Sequence, residues 1–426
     1  VKPKYISWDG LTFAAIALFH IRVFGDFRAN LLVLILTLYL LLDFFYLHLP
    51  ATTQAGAIRR LLAGKLALAA AAVFVIVIMP SINLIAARHA ASPEQYVHDG
   101  MLQIEAALDF MRQGRTPYGQ DYSSTPMGDW NFSTQGITVN PSLTHLAYLP
   151  LILEISYPFY WLSLNTFGWW DERILYILIL IIALGLTSRL SDDPTRKLSL
   201  LLIVGLNPGL MLEFLSGHFI IVDICLIVTS ALMLKQGRRT LATIFFALAC
   251  AAKQSTWFVA PIFGLYLLGM WPWRRERLSQ VWREAWPGAA IALATILPFF
   301  VLDPKAFIAD TVIYVLGARG TEAFIINGYG LGGILLALGV LPDATTQFPF
   351  LWFELAIGLP VLAALTIGLW RSGRTQLLWA CGGLLGMAVS YFHRFYHGNY
   401  IGLFVFLIAL GMLADDPPSE PGLSRA

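Results

Sequence analysis

Charge is scarce in this sequence. Asp, Glu, Lys and Arg make up 13% of 426 residues while hydrophobic residues make up 58%, against about 25% and about 45–50% in an ordinary soluble domain. That shortage excludes a single soluble core, because too little polar surface is left to cover so much apolar volume. The net charge of +2 is spread over short loops, so no nucleic-acid-binding face is expected. Cysteine is scarcer still. Cys225, Cys250 and Cys381 all lie in apolar stretches, which argues against a disulfide framework. The ten-residue apolar/polar alternation of a membrane barrel is missing too, and helices are then the way to satisfy backbone polar groups in lipid. There is no G-x-x-x-x-G-K-[ST] phosphate loop, no H-E-x-x-H zinc pair and no D-x-D. The GYGLGG run lacks the strand-and-helix context of a dinucleotide site and suits close helix packing instead.

What is present is a series of apolar runs of the roughly 20 residues needed to cross about 30 Å of hydrocarbon. Basic residues read as cytoplasmic give a self-consistent path. The first run, residues 11 to about 24, contains His20 and Arg22 and has no small-residue cleavage site, so it reads as a helix and not as a removed signal. Spans follow at about 30–49 and 61–86, leading to a polar, acidic segment at 87–140. The Pro-punctuated stretch 141–165 reads as a surface helix, because counting it as a crossing would put Arg189, Arg196 and Lys197 outside. The remaining spans then alternate, with a second mixed external segment at 303–350. The expectation is an all-α, polytopic bundle of about 12 spans with both termini cytoplasmic. It divides into N-terminal helices (1–60), a membrane module (61–273), a C-terminal bundle (274–414) and a disordered, Pro-containing tail (415–426). No internal repeat is visible, and the polar residues gather at one membrane face.

The segment YVHDGMLQIEAALDFMRQGRTPYGQDY is the most informative. Met101, Ile104, Ala107, Leu108 and Met111 fall at helical spacing, with Asp99 at the head and GRTPY as the stop. Asp99 reads either as an N-terminal cap or, beside His98, as a general base for an acceptor hydroxyl. Asp121 and Asp129 are rival carboxylates, although neighbours such as Ser123, Ser124 and Gly128 suit solvated turns. Lys253, at the outer end of an apolar helix, either snorkels to the interface or binds a phosphate as a point charge. The last external turn, YFHRFYHGNY, supplies His393, Arg394, His397, Asn399 and Tyr400; its two His and its Arg read as interfacial anchors, or Arg394 and a protonatable His397 clamp a phosphate. Arg319 is a candidate of the same type. His393 and His397, four apart, could share a helix face, but with no third ligand in view a metal is not expected there.

The order of these motifs resembles the GT-C membrane glycosyltransferases, particularly polyprenol-phosphate-sugar-dependent ones such as the phosphatidylinositol-mannoside mannosyltransferases. The first external loop, with its Asp and R-x-G-x-x-P-Y, is followed by NPSLTHLAYLPLILEISYP and WDERILYILILIIALGLTSRL. After these come LNPGLMLEFLSGHFIIVDI and ALACAAKQSTWFVAP, similar to the family's N-P…G-H and A-x-x-x-K-Q…P segments. The resemblance implies that Asp99 is the base and that a polyprenyl-phosphate-linked sugar is the donor. The acceptor would be a hydroxyl of a glycan, a glycolipid or another molecule. Lys253, Arg394 and His397 would neutralise the leaving phosphate. Where the family places an acid two positions after the His, this sequence has Ile220, and Glu213 or His218 is left to do that work. No cofactor is implied, and a divalent-metal requirement stays open. The implied setting is the plasma (cell inner) membrane, with the site on its extracytoplasmic face. A lipid-glycan flippase and a glycan polymerase or ligase are the rival readings.

Overall fold

The computed structural model describes residues 6–50, 53–268, 275–317 and 324–417. Arg319 and the tail from residue 418 lie outside the described residues. Among the described residues five helices are long and apolar enough to cross a membrane: Phe27–Leu47, Ala55–His89, Pro194–Leu215, Leu278–Leu302 and Phe350–Ser372. Shorter apolar helices at Arg173–Thr187, Arg239–Ala252, Leu377–Ser390 and Gly398–Leu413 pack among them. Among the described residues, strand is confined to a two-residue parallel pairing of Asn327–Gly328 with Phe395–Tyr396. The fold is therefore an all-α membrane bundle, as the composition requires. Cys225, Cys250 and Cys381 are free thiols.

Helix boundaries follow local chemistry. Ser7 accepts from the Gly10 N–H to cap Trp8–Phe24, and Asp26 accepts from the Arg28 N–H to start Phe27–Leu47. The first three helices are locked by a cluster without exposed charge. Lys65 Nζ lies 2.5 Å from Asp9 and 2.6 Å from Asp43, Tyr39 donates to Asp9 at 2.5 Å, and Ser7 donates to Asp43 at 2.5 Å. Removing one member of a buried ion pair leaves an uncompensated charge, which costs about 3–5 kcal/mol. Lys65→Met is accordingly expected to lower the thermal midpoint of the purified protein strongly. The triple change Lys65→Met, Asp9→Asn, Asp43→Asn should recover most of the loss, and a midpoint unchanged in Lys65→Met would show that the cluster does not hold these helices.

The helix ends gather in two layers. At one end Asp415 binds Ser191 and Lys235, and Asp416 binds Arg374, so the turns after Thr187, Lys235, Ser372 and Leu413 meet. The opposite end carries the segment between His89 and Arg173. Its amphipathic helix runs Asp99–Arg112, as the periodicity predicts. The following stretch differs from one continuous surface helix over 141–165. Asn140 caps a 3₁₀ turn at Pro141–Thr144, His145 is extended, and the helix starts only at Pro150 and runs to Phe167. Proline is suited to a first helical turn, which explains the late start.

Buried arginines fasten this segment to the bundle. Arg88 bridges Glu105 (2.6 Å) and Asp171 (3.1 Å), and Asp171 also holds Arg173 at 2.7 Å. Arg173 Nη1 donates to the carbonyls of Tyr96 (3.0 Å) and Leu215 (3.2 Å), while the His98 N–H donates to Ser216 O at 2.8 Å. The turn before Asp99 is thus sewn to the turn after Pro194–Leu215.

Candidate active site

Where these turns meet, a cavity of about 530 Å³ opens, lined in large part by apolar and aromatic side chains. His98, Asp99, Glu213, His218, Lys253, His393 and His397 all line it, although they come from four separate stretches of the sequence. The fold therefore brings together most of the residues singled out in the sequence. Asp121 is elsewhere: it is exposed and accepts from the backbone and hydroxyl of Ser123 in a surface turn, and Asp129 is likewise exposed.

Asp99 opens the amphipathic helix and has both carboxylate oxygens engaged. Oδ1 is 2.7 Å from His98 Nδ1 and accepts from the Gly100 N–H at 2.8 Å. Oδ2 accepts from Asn140 Nδ2 at 2.6 Å. Burial works to raise this carboxyl, but the His98 charge and these hydrogen bonds win and hold it below the usual carboxylate range. The His98 imidazole moves the other way. Burial works to lower it, the Asp99 carboxylate outweighs that, and its basicity is raised. The cavity leaves the His98 side chain 41% accessible against 14% for Asp99. Gly100 is required beside them, because a Cβ there would collide with the Tyr148 hydroxyl.

The cationic side of the cavity is Lys253. The helix Arg239–Ala252 ends just before it, and Lys253 is extended (φ −151°, ψ 133°), which turns the side chain inward. Its ammonium lies 5.2 Å from the Phe219 ring and 5.3 Å from the Tyr400 ring. Glu213 and Asp223 attract it through space, yet among the described residues none forms an ion pair with it. Beside it, Gln254 donates to Ala147 O at 2.8 Å. His218 is made neutral: burial, then the charges of Lys253 and His98, push its imidazole well below the ordinary value. Its Nδ1 accepts from the Ile220 N–H, and Nε2 lies 3.3 Å from the Asn399 amide.

His397 is also neutral, pushed down to about 4 by burial and by the His98 charge. It can therefore offer a hydrogen bond but no positive charge at neutral pH. Arg394 is almost fully buried and its Nη1 donates to Gly317 O at 3.3 Å. Among the described residues its Nε and Nη2 have no partner. Gly317 has φ +69°, and a side chain there would strike the guanidinium. Arg394 is thus packed behind the cavity wall, where its charge acts over distance.

Several groups at the site escape a reading of the sequence. Asn140 is one, and its Asn-Pro-Ser setting signals only a cap. Another is Asp310, in a π turn at Ala309–Ile313; it holds His145 Nδ1 at 2.9 Å and accepts from the Gly119 N–H at 2.8 Å. His145 in turn stacks on Tyr314, which lines the cavity. Glu354 pairs with His393 Nδ1 at 2.8 Å. A lone carboxylate in an otherwise apolar membrane helix is a readable signal for such a residue.

Residues 171–313 match the model of the ALG6, ALG8 glycosyltransferase family, a stretch that includes Glu213, His218, Lys253 and Asp310 and leaves Asp99 and the turn at 391–400 outside. No curated protein matches the chain. The protein is a membrane-embedded enzyme, a glycosyltransferase that uses lipid-linked sugar donors. The matched family is of the GT-C type, in agreement with the motif order.

Proposed function

We propose that the enzyme transfers a sugar, mannose or another hexose or pentose, from a polyprenyl-phosphate donor to an acceptor hydroxyl on a glycan or glycolipid. The reaction takes place at the extracytoplasmic face of the plasma (cell inner) membrane, with both termini cytoplasmic. The observation that carries this reading is one cavity holding both an ionised carboxylate, Asp99, and a buried ammonium, Lys253, with no ion-pair partner among the described residues.

Asp99 takes the proton as the acceptor oxygen attacks the anomeric carbon. The bond from that carbon to the phosphate oxygen breaks, its electron pair leaves with polyprenyl phosphate, and the configuration inverts. A phosphate leaving group needs charge neutralisation more than protonation. Lys253 supplies it at contact range, Arg394 supplies it from behind the wall, and neutral His397 contributes a hydrogen bond. Aromatic and aliphatic lining beside the charges suits a ligand that is part isoprenoid and part sugar. Membrane location follows from the donor, because a polyprenyl chain stays in the bilayer. The acidic balance of residues 87–140 and the basic turns at the opposite end favour the extracytoplasmic assignment. A flippase would carry its polar residues along a path through the bundle, whereas the Lys65 cluster is closed by its own partners and does not line the cavity.

The test is transfer by the purified protein in lipid nanodiscs, from radiolabelled polyprenyl-phosphate mannose, glucose, galactose and arabinose to a panel of octyl glycosides. Labelled product with inverted anomeric configuration is expected from one of these donors. Product of retained configuration would overturn the mechanism, and no transfer from any donor would overturn the function.

A further inference from the structure

The cavity holds a second carboxylate–imidazole pair, well removed in sequence from Asp99–His98. Phe350–Ser372 is a membrane-length helix whose side chains are mostly turned outward, and Glu354 is the sole charged residue in it before Arg371. Carrying a carboxylate there is costly, which marks a functional residue or a structural tie. A tie is not needed. This helix already packs closely on Leu377–Ser390, where a Cβ on Gly358 would crowd the Val389 side chain. Both Glu354 and His393 face the cavity.

Each has hydrogen-bonding capacity to spare. Glu354 Oε1 engages His393 Nδ1, among the described residues Oε2 and His393 Nε2 have no hydrogen-bond partner, and the two side chains keep 13% and 21% of their surface accessible. Ser390 and Asn327 line the same cavity, Asn327 with its Oδ1 accepting from the Gly328 N–H at 2.8 Å and its amide nitrogen left over, as do Phe324 and Phe395, stacked at 4.8 Å. The wall is held rigidly. The Asn327 N–H donates to Arg394 O at 3.0 Å, and the Tyr329 N–H donates to Tyr396 O at 2.7 Å. A carboxylate at this place repels a phosphate, so the pair suits a neutral, hydroxyl-bearing group instead. Carboxylate, imidazole, hydroxyl and amide beside aromatic faces are the groups that bind ring hydroxyls while the rings pack on a sugar's C–H face.

We propose that Glu354, His393, Asn327 and Ser390 form a subsite that binds the ring hydroxyls of a hexose or pentose, apart from the reacting centre at Asp99. This rests on the glycosyltransferase reading above. The test compares wild type with Glu354→Gln and His393→Asn in the nanodisc transfer assay. KM is measured separately for the polyprenyl-phosphate sugar and for the octyl glycoside, and the preferred octyl glycoside is compared with its monodeoxy analogues. The expected result is a rise of about tenfold or more in one KM with kcat within about threefold, and the substrate whose KM moves identifies the sugar bound. If that is the acceptor, wild type should discriminate against one deoxy analogue and Glu354→Gln should lose that discrimination. Both KM values within twofold of wild type in both variants would overturn the subsite while leaving the transferase intact. A lower melting temperature with unchanged KM values would reduce the pair to a structural tie. Absence of transfer by wild type would overturn the function and the subsite together.

Discussion

Asp99→Asn is expected to cut transfer by about 10²–10⁴-fold, the usual contribution of a positioned general base, while leaving the protein folded. The substitution separates the two roles open to this residue. The helix is capped by His98, whose Nδ1 accepts from the Gly100 N–H at 3.0 Å, and an Asn carbonyl oxygen at position 99 can still accept the same N–H that Asp99 now holds at 2.8 Å. What Asn cannot do is accept the acceptor's proton. A protein with an unchanged melting temperature and collapsed kcat therefore identifies the base, whereas full activity would sink the assignment. The companion change, His98→Gln, is read in the pH profile. Transfer needs Asp99 ionised, so the acid limb of kcat/KM follows its pKa. In wild type the upward push of burial is overcome chiefly by His98, with help from Asn140 and Gly100. Removing the imidazole charge leaves burial opposed by hydrogen bonds alone, the Asp99 pKa rises, and the acid limb moves to higher pH. An acid limb that stays in place would show that His98 does not tune the base.

Much of this arrangement is legible in one dimension because it is governed by local rules. Apolar runs of membrane length and the 3.6-residue spacing after Asp99 report themselves, and so does the basic character of the turns opposite the cavity. The late start of the helix at Pro150 is also signalled, by the prolines at 141 and 150, but a hydrophobicity count overrides such a signal. The polar clusters are different. Lys65 meets Asp9 and Asp43 across three helices, Arg173 reaches back to Tyr96, and Asp99 is completed by Asn140, 41 residues away. Nothing in a neighbouring sequence specifies such partners, since each is set by how helices pack. His397 shows the limit from the other side. Its residue type suggests a protonatable clamp, but only the packed structure shows that burial and the His98 charge keep it neutral.

Lys253→Met should lower kcat/KM by about 10²–10³-fold, the cost of removing one preorganised group that stabilises charge developing in a transition state. A snorkelling lysine would extend along the helix surface to the interface with its ammonium in water. Lys253 instead is 6% exposed, turned inward by an extended backbone and set between Phe219 and Tyr400. A desolvated ammonium held this way, with Glu213 and Asp223 acting only through space, is arranged to receive an anion that arrives with the substrate. Because Met would leave Asp223 buried without that attraction, Lys253→Met, Asp223→Asn guards against a loss that is merely one of folding. If the double variant melts as wild type does and still fails to transfer, the ammonium is needed for chemistry. Lys253→Arg keeps the charge but replaces a compact ammonium with a planar fork, so partial activity with a raised donor KM is expected. Near-normal kinetics in Lys253→Met would move phosphate neutralisation to Arg394. Arg394→Gln would then have to show the larger defect, although its guanidinium is tied to Gly317 and lies behind the cavity wall.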